Sequence, residues 1–149
     1  MSSAPVPTVL TLLSHLPSHK TGTKVRFLGC VNAYNSREGV LELLHSSKDF
    51  ANATVVAETD VNVILETVKR EDLEVGAWVN VMGYVSAVQA AGRDDRSSCT
   101  IAKSRDISSS ALVTVTIQAV MLWNAGAINI AEYEKAVHQR LQDQARKSN

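Results

Sequence analysis

An all-β barrel of five strands, with a helix between the third and fourth strands and an α-helix at the C-terminus, is the fold this sequence predicts. Three observations carry that reading. Five separate stretches read as strands, and in the first, fourth and fifth the apolar residues share one parity, the period of strands with one face buried. Turns rich in glycine and polar residues separate several of those stretches. Two further segments, after Asp60 and around Tyr133, carry apolar residues at steps of three and four, the period of one helical face.

At 149 residues the chain is long enough for one domain with a proper core. Residues 1–8, with two Ser and two Pro, read as a flexible N-terminal arm, and Val9 to Leu16 is apolar enough to lie on the barrel. Lys24 to Tyr34 is the first strand, with Val25, Phe27, Val31 and Ala33 on one parity. Gly29 sits where a small barrel needs a bend or bulge. Asn35 to Gly39 is a hairpin turn into the second strand, Val40 to His45. Ser46 to Asn52 is a loop and Ala53 to Thr59 the third strand. Asp60 is placed to cap a helix carrying Val61, Ile64, Leu65 and Val68. Trp78 to Val88 is the fourth strand, and the polar stretch from Gln89 to Ser110 is a long loop. A terminal helix runs from about Ala131 to Arg146. Five strands with a helix between the third and fourth is the plan of an OB-fold, a Greek-key barrel. The expected organisation is an arm (1–8), the barrel (9–126), and a partner-binding helix with its tail (127–149).

The fifth strand, Val113 to Trp123, changes character halfway. Up to Gln118 it alternates strictly; from Ala119 onward both faces turn apolar, because Val120 and Leu122 occupy the side that was polar. A strand end apolar on both sides must be covered, either by the chain's own tail or by another protein.

Lys plus Arg and Asp plus Glu are both 15, so no global field draws the chain to nucleic acid or an acidic membrane. The charges are uneven, however. Residues 24–48 hold Lys24, Arg26, Arg37 and Lys48 against Glu38 and Glu42, whereas residues 49–76 hold seven acids against Lys69 and Arg70. Two cysteines are too few for a disulfide scaffold and fit a reducing compartment. No signal peptide or membrane span is expected. The four histidines are dispersed, there is no Cys-x-x-Cys, and no nucleophile stands in a recognisable elbow, so neither catalysis nor a metal or other cofactor is expected.

Three stretches in series carry a resemblance. Lys24-Val25-Arg26-Phe27-Leu28-Gly29-Cys30-Val31 opens the barrel. Leu73 to Val85, containing Gly76-Ala77-Trp78-Val79-Asn80-Val81-Met82-Gly83, leads through the fourth strand. Gln118 to Gly126 closes the barrel, with Tyr133-Glu134 beginning the last helix. In this order and spacing they resemble the fungal form of the Ten1 family, the smallest OB-fold subunit of the CST telomere-capping complex. The resemblance covers roughly residues 9–140. It implies a heterodimer with the N-terminal OB domain of Stn1, like the pairing of the two smaller subunits of replication protein A. It also implies the large CST subunit as a further partner, a nuclear location at telomeres, and a role on single-stranded telomeric DNA, bound weakly by this chain alone.

Two candidate sites follow from the residues. For a partner, the terminal helix offers Ile130, Tyr133, Val137 and Leu141 as one apolar stripe, with Val120, Leu122 and Trp123 of the fifth strand nearby; Arg26 is free for a phosphate or an acidic group on the partner. The plainer alternatives are that the stripe packs on its own barrel, or divides between barrel and partner. For DNA, Tyr34 is placed to stack a base beside Arg37, while Lys48, Arg93, Arg96, Lys103 and Arg105 are placed to meet phosphates. The plainer alternative is ordinary surface charge and a turn tyrosine. The functions to separate are a telomeric subunit supporting DNA binding, a protein-only OB-fold adaptor, and a free-standing nucleic-acid binder; net neutrality counts against the last.

Overall fold

The structure, a computed structural model, describes residues 7–45, 53–91 and 111–147. Its strands are β1 (Val9–Leu10), β2 (Lys24–Asn35), β3 (Val40–Leu44), β4 (Ala53–Asp60), β5 (Trp78–Ala91) and β6 (Ala111–Asn124), followed by α1 (Ile130–Lys147). The five strands β2 to β6 run in the order β2-β3-β4-β6-β5 and close through a β2–β5 pairing. β4 and β6 are parallel and the other barrel pairs antiparallel, so the predicted five-stranded OB-type barrel with its terminal helix is what the chain forms. β1 is an addition the sequence reading placed only as an apolar stretch. It pairs in parallel with Val25 and Arg26, covering an edge of β2 that would otherwise stay open.

β2 makes closure possible because it serves two neighbours. Lys24 to Cys30 pair with β5, and Cys30 to Asn35 pair with β3. At the changeover sits Gly29, where a Cβ would come within 2.9 Å of the Leu43 Cβ and 3.1 Å of a Leu13 methyl. The missing side chain is therefore a packing requirement of the bend. Inside the barrel, Val25, Phe27, Leu41, Leu43, Val81 and Ile117 are fully buried. Leu13 and Leu16 of the 3₁₀ turn Leu13–Ser18 join the same core, so the apolar N-terminal stretch lies on the barrel as expected.

The link from β4 to β5 differs from its expectation. In place of an α-helix there are two 3₁₀ turns, Asn62–Ile64 and Arg70–Leu73. Val61 and Ile64, three residues apart, both reach the core, whereas Val63 and Leu65 stay exposed; a 3₁₀ step is enough to bury that pair. Asp60 does shape the start of the link, through its side chain: its Oδ1 accepts from the Asn62 backbone N–H at 3.0 Å and from Asn62 Nδ2 at 2.9 Å. The arm at residues 1–6, the loop at 46–52 and residues 92–110 of the long loop lie outside the described residues.

Candidate partner interface

The end of β6 owes its two-sided apolar pattern to a bulge. Met121 pairs with Met82, but the next pair is Ala119 with Gly83, so Val120 has no residue opposite it. Before the bulge Val115, Ile117 and Ala119 point inward; after it Leu122 does, packed in the core opposite Val81 and 8% exposed. The backbones press together here, since a Cβ on Gly83 would run into the Gln118 carbonyl oxygen. Leu122, expected at a partner interface, is thus a core residue, because one extra residue reverses the parity of all that follow it. What the bulge leaves outside is Val120, 40% exposed, and Met121, 56% exposed.

Across the outer face the register aligns Leu10, Arg26, Met82 and Met121 in one row over β1, β2, β5 and β6. The next row holds Leu28, Asn80 and Trp123. The Arg26 guanidinium lies 5.1 Å from the centroid of the Trp123 ring, a cation–π arrangement that holds an exposed charge beside the two methionines.

α1 begins with Asn129 as its cap, whose Oδ1 accepts from the Glu132 N–H at 3.3 Å. Its inward face is settled by Val137, only 2% exposed, and by Glu134, whose Oε1 lies 2.7 Å from His45 Nε2. The other ring nitrogen, Nδ1, lies 3.3 Å from the Leu28 carbonyl oxygen. The His45 ring also stands edge-on to Trp78, with centroids 5.4 Å apart. One turn further along, the His138 ring meets His15 at 6.0 Å. The stripe proposed from the sequence therefore turns toward its own barrel: Val137 is spent inside the chain, because the outer face of β2 and the end of β3 present groups that need covering. Ile130, Tyr133 and Leu141 are half-buried and keep part of their surface outside. The Tyr133 hydroxyl oxygen is buried with no hydrogen-bond partner among the described residues. Burial pushes this phenol's pKa up, and the nearby Arg26 charge pulls it partly back.

The nucleic-acid candidates fare differently. Tyr34 lies opposite Leu41 and packs against the core, because a register shift between Val31 and Ala33 turns it inward. Its ring is thus half-buried against the core. Arg37 is exposed in the β2–β3 turn. Lys48, Arg93, Arg96, Lys103 and Arg105 lie outside the described residues. On the outward face of β3 and β4, Glu42 stands directly opposite Glu58. Asn32 Nδ2 donates to Glu42 Oε1 at 3.0 Å. Burial pushes the Glu42 carboxyl above its ordinary value; the Asn32 bond opposes this, and the Glu58 charge adds to it. Strands at this position form the usual nucleic-acid face of an OB-fold, and two carboxylates there repel phosphate.

Sequence reasoning missed Met82, Met121, His45 and Glu134. The bulge was signalled by the parity change after Ala119 together with Gly83 on the partner strand. Nothing local marks His45 and Glu134, which are 89 residues apart in sequence.

A closed OB-type barrel with two methionines and an arginine in one outer row and a docked terminal helix defines a small OB-fold protein. Residues 1–138 match the family model of Ten1, described as a telomere-capping subunit of the CST complex, and the chain belongs to that family of non-catalytic subunits. It is similar to a chain in the crystal structure of the S. pombe Stn1–Ten1 complex, with 23% identity and a TM-score of 0.60 over 93% of this chain and 98% of that one. S. pombe Ten1 on its own matches at 23% identity and 0.60 over 91% of this chain and 99% of that one. U. maydis replication protein A bound to single-stranded DNA matches at 18% identity and 0.51, over 91% and 90%. No curated protein matches by sequence.

Proposed function

We propose that this chain caps telomeres as the small member of a heterodimer with the N-terminal OB domain of a Stn1 protein, acting in the nucleus together with the large CST subunit. The observation that carries the reading is the outer row of Arg26, Met82 and Met121. Beside it lie Val120, Trp123 and the half-buried Ile130, Tyr133 and Leu141, on a chain of the Ten1 family. Exposed methionine and aromatic surface next to a held arginine suits a partner with an apolar helix and an acidic side chain. The S. pombe complex is support for a Stn1 partner. In this reading the barrel at 9–126 and the helix at 127–149 share the docking surface. Co-expression with a Stn1 OB domain, followed by sizing, tests it: a stable one-to-one complex is expected, and two separate monomers would refute it.

The pair, rather than this chain, holds single-stranded telomeric DNA; Arg37, Lys48, Arg93, Arg96, Lys103 and Arg105 supply a secondary contribution. A second reading, an adaptor that never touches DNA, is favoured by the Glu42–Glu58 pair on the usual binding face. Comparing DNA affinity of the pair with wild-type and Arg37→Glu chains separates them, since only the first reading expects a loss.

A further inference from the structure

We propose that His45 and Glu134 form a clasp that sets the pose of α1 on the barrel, so that the partner meets a helix already in place. The inference rests on the pairing reading above for its purpose and on geometry for its substance. The His45 side chain is 2% exposed and that of Glu134 23%. Leu28 of β2, Trp78 of β5 and Glu134 of α1 meet the ring from three elements. Its nitrogens face two acceptors, the Leu28 carbonyl oxygen and the Glu134 carboxylate. The Nε2–H donates to the Glu134 carboxylate across 2.7 Å, which ties α1 to the residue just beyond β3.

A buried hydrogen-bonded pair of this kind adds little net stability against an apolar pair of the same shape, but it penalises every arrangement in which one member is left alone. Sliding or turning α1 by one residue would strand the His45 ring without its carboxylate. Val137 packing alone is non-directional and tolerates such slips. The clasp therefore supplies register, and both residues are positioning residues for the docking surface that includes Tyr133 and Leu141. The advantage is quantitative: a binding element correctly posed only a fraction of the time weakens apparent affinity by that fraction.

The test uses the full chain, hydrogen exchange on the free protein, and affinity for the Stn1 OB domain. Glu134→Ala is expected to raise exchange of α1 amides by about tenfold or more while β2 to β6 keep their protection. Apparent affinity should then fall only as far as the docked fraction falls, so its loss is smaller than the change in exchange. Glu134→Gln keeps an acceptor for Nε2–H and should fall between wild type and Glu134→Ala in both measurements. His45→Gln keeps an N–H donor toward Glu134 and should likewise fall between the two. Unchanged α1 exchange in Glu134→Ala would overturn the clasp. Lost affinity with α1 still protected would also overturn it, since Glu134 would then act by touching the partner. If the wild-type chain fails to pair while the exchange results hold, the pairing reading fails and the clasp stands.

Discussion

Leu122 faces Val81 inside the barrel, while Met121, one residue earlier, faces Met82 outside it. Their substitutions should separate cleanly. Leu122→Ala is expected to cost about 2–5 kcal/mol of stability, the range for a buried leucine. Met121→Ala should stay within about 0.5 kcal/mol in a denaturant melt. Calorimetry against the partner should show the same Met121 change weakening association by about 1 kcal/mol or more. If Met121→Ala unfolds the chain, the bulge is misplaced. Glu42 makes a second prediction at this scale. Its folded pKa lies above the ordinary value of 4.5, so between those two values the folded state holds more protons than the unfolded one. Stability must then fall as pH rises from the ordinary value through the folded value, and stay lower above it. Glu42→Gln should remove that decline and raise the melting temperature at neutral pH; a lowered neutral-pH melt would contradict it. Neither outcome was legible in the residues alone. Alternation located the strands, but a bulge reverses inside and outside, as it did for Leu122 and Tyr34.

α1 illustrates what an amphipathic pattern can and cannot say. Steps of three and four placed a helix at the C-terminus, within a residue of the observed Ile130–Lys147 at each end. The same pattern is silent on which surface the stripe meets. Val137 shows that its own barrel takes the centre of it. Val137→Ala should therefore lower the melting temperature of the isolated chain, with a loss of about 1–3 kcal/mol. Tyr133→Phe removes a buried hydroxyl that has no partner among the described residues and should leave stability equal or slightly higher, as measured in urea. A clear loss in the isolated chain would mean the hydroxyl is bonded there after all. The 61–77 link shows the opposite limit. Its spacing read as an α-helix, yet burying Val61 and Ile64 takes one short 3₁₀ turn, and periodicity over so few residues does not separate the two.

At the scale of the molecule, the number of barrel strands, the order of elements and the family were readable, because five strand-like stretches and three stretches in series extend over nearly the whole chain. Closure was less readable: that β2 divides its pairing at Gly29 depends on Leu43 and Leu13, which are remote in sequence. The electrostatics follow from zero net charge and the acidic β3–β4 face. Single-stranded DNA binding by the isolated chain should be weak and its salt dependence shallow, since few phosphates are neutralised. Nanomolar binding by this chain alone at physiological salt would contradict its subordinate role. The most direct test of the whole account is calorimetric titration of the Stn1 OB domain with the wild-type chain and with Met121→Glu, both checked for an unchanged melt. A one-to-one complex is expected for the wild type and its loss with Met121→Glu; equal binding by both, or by neither, would rule out this docking surface.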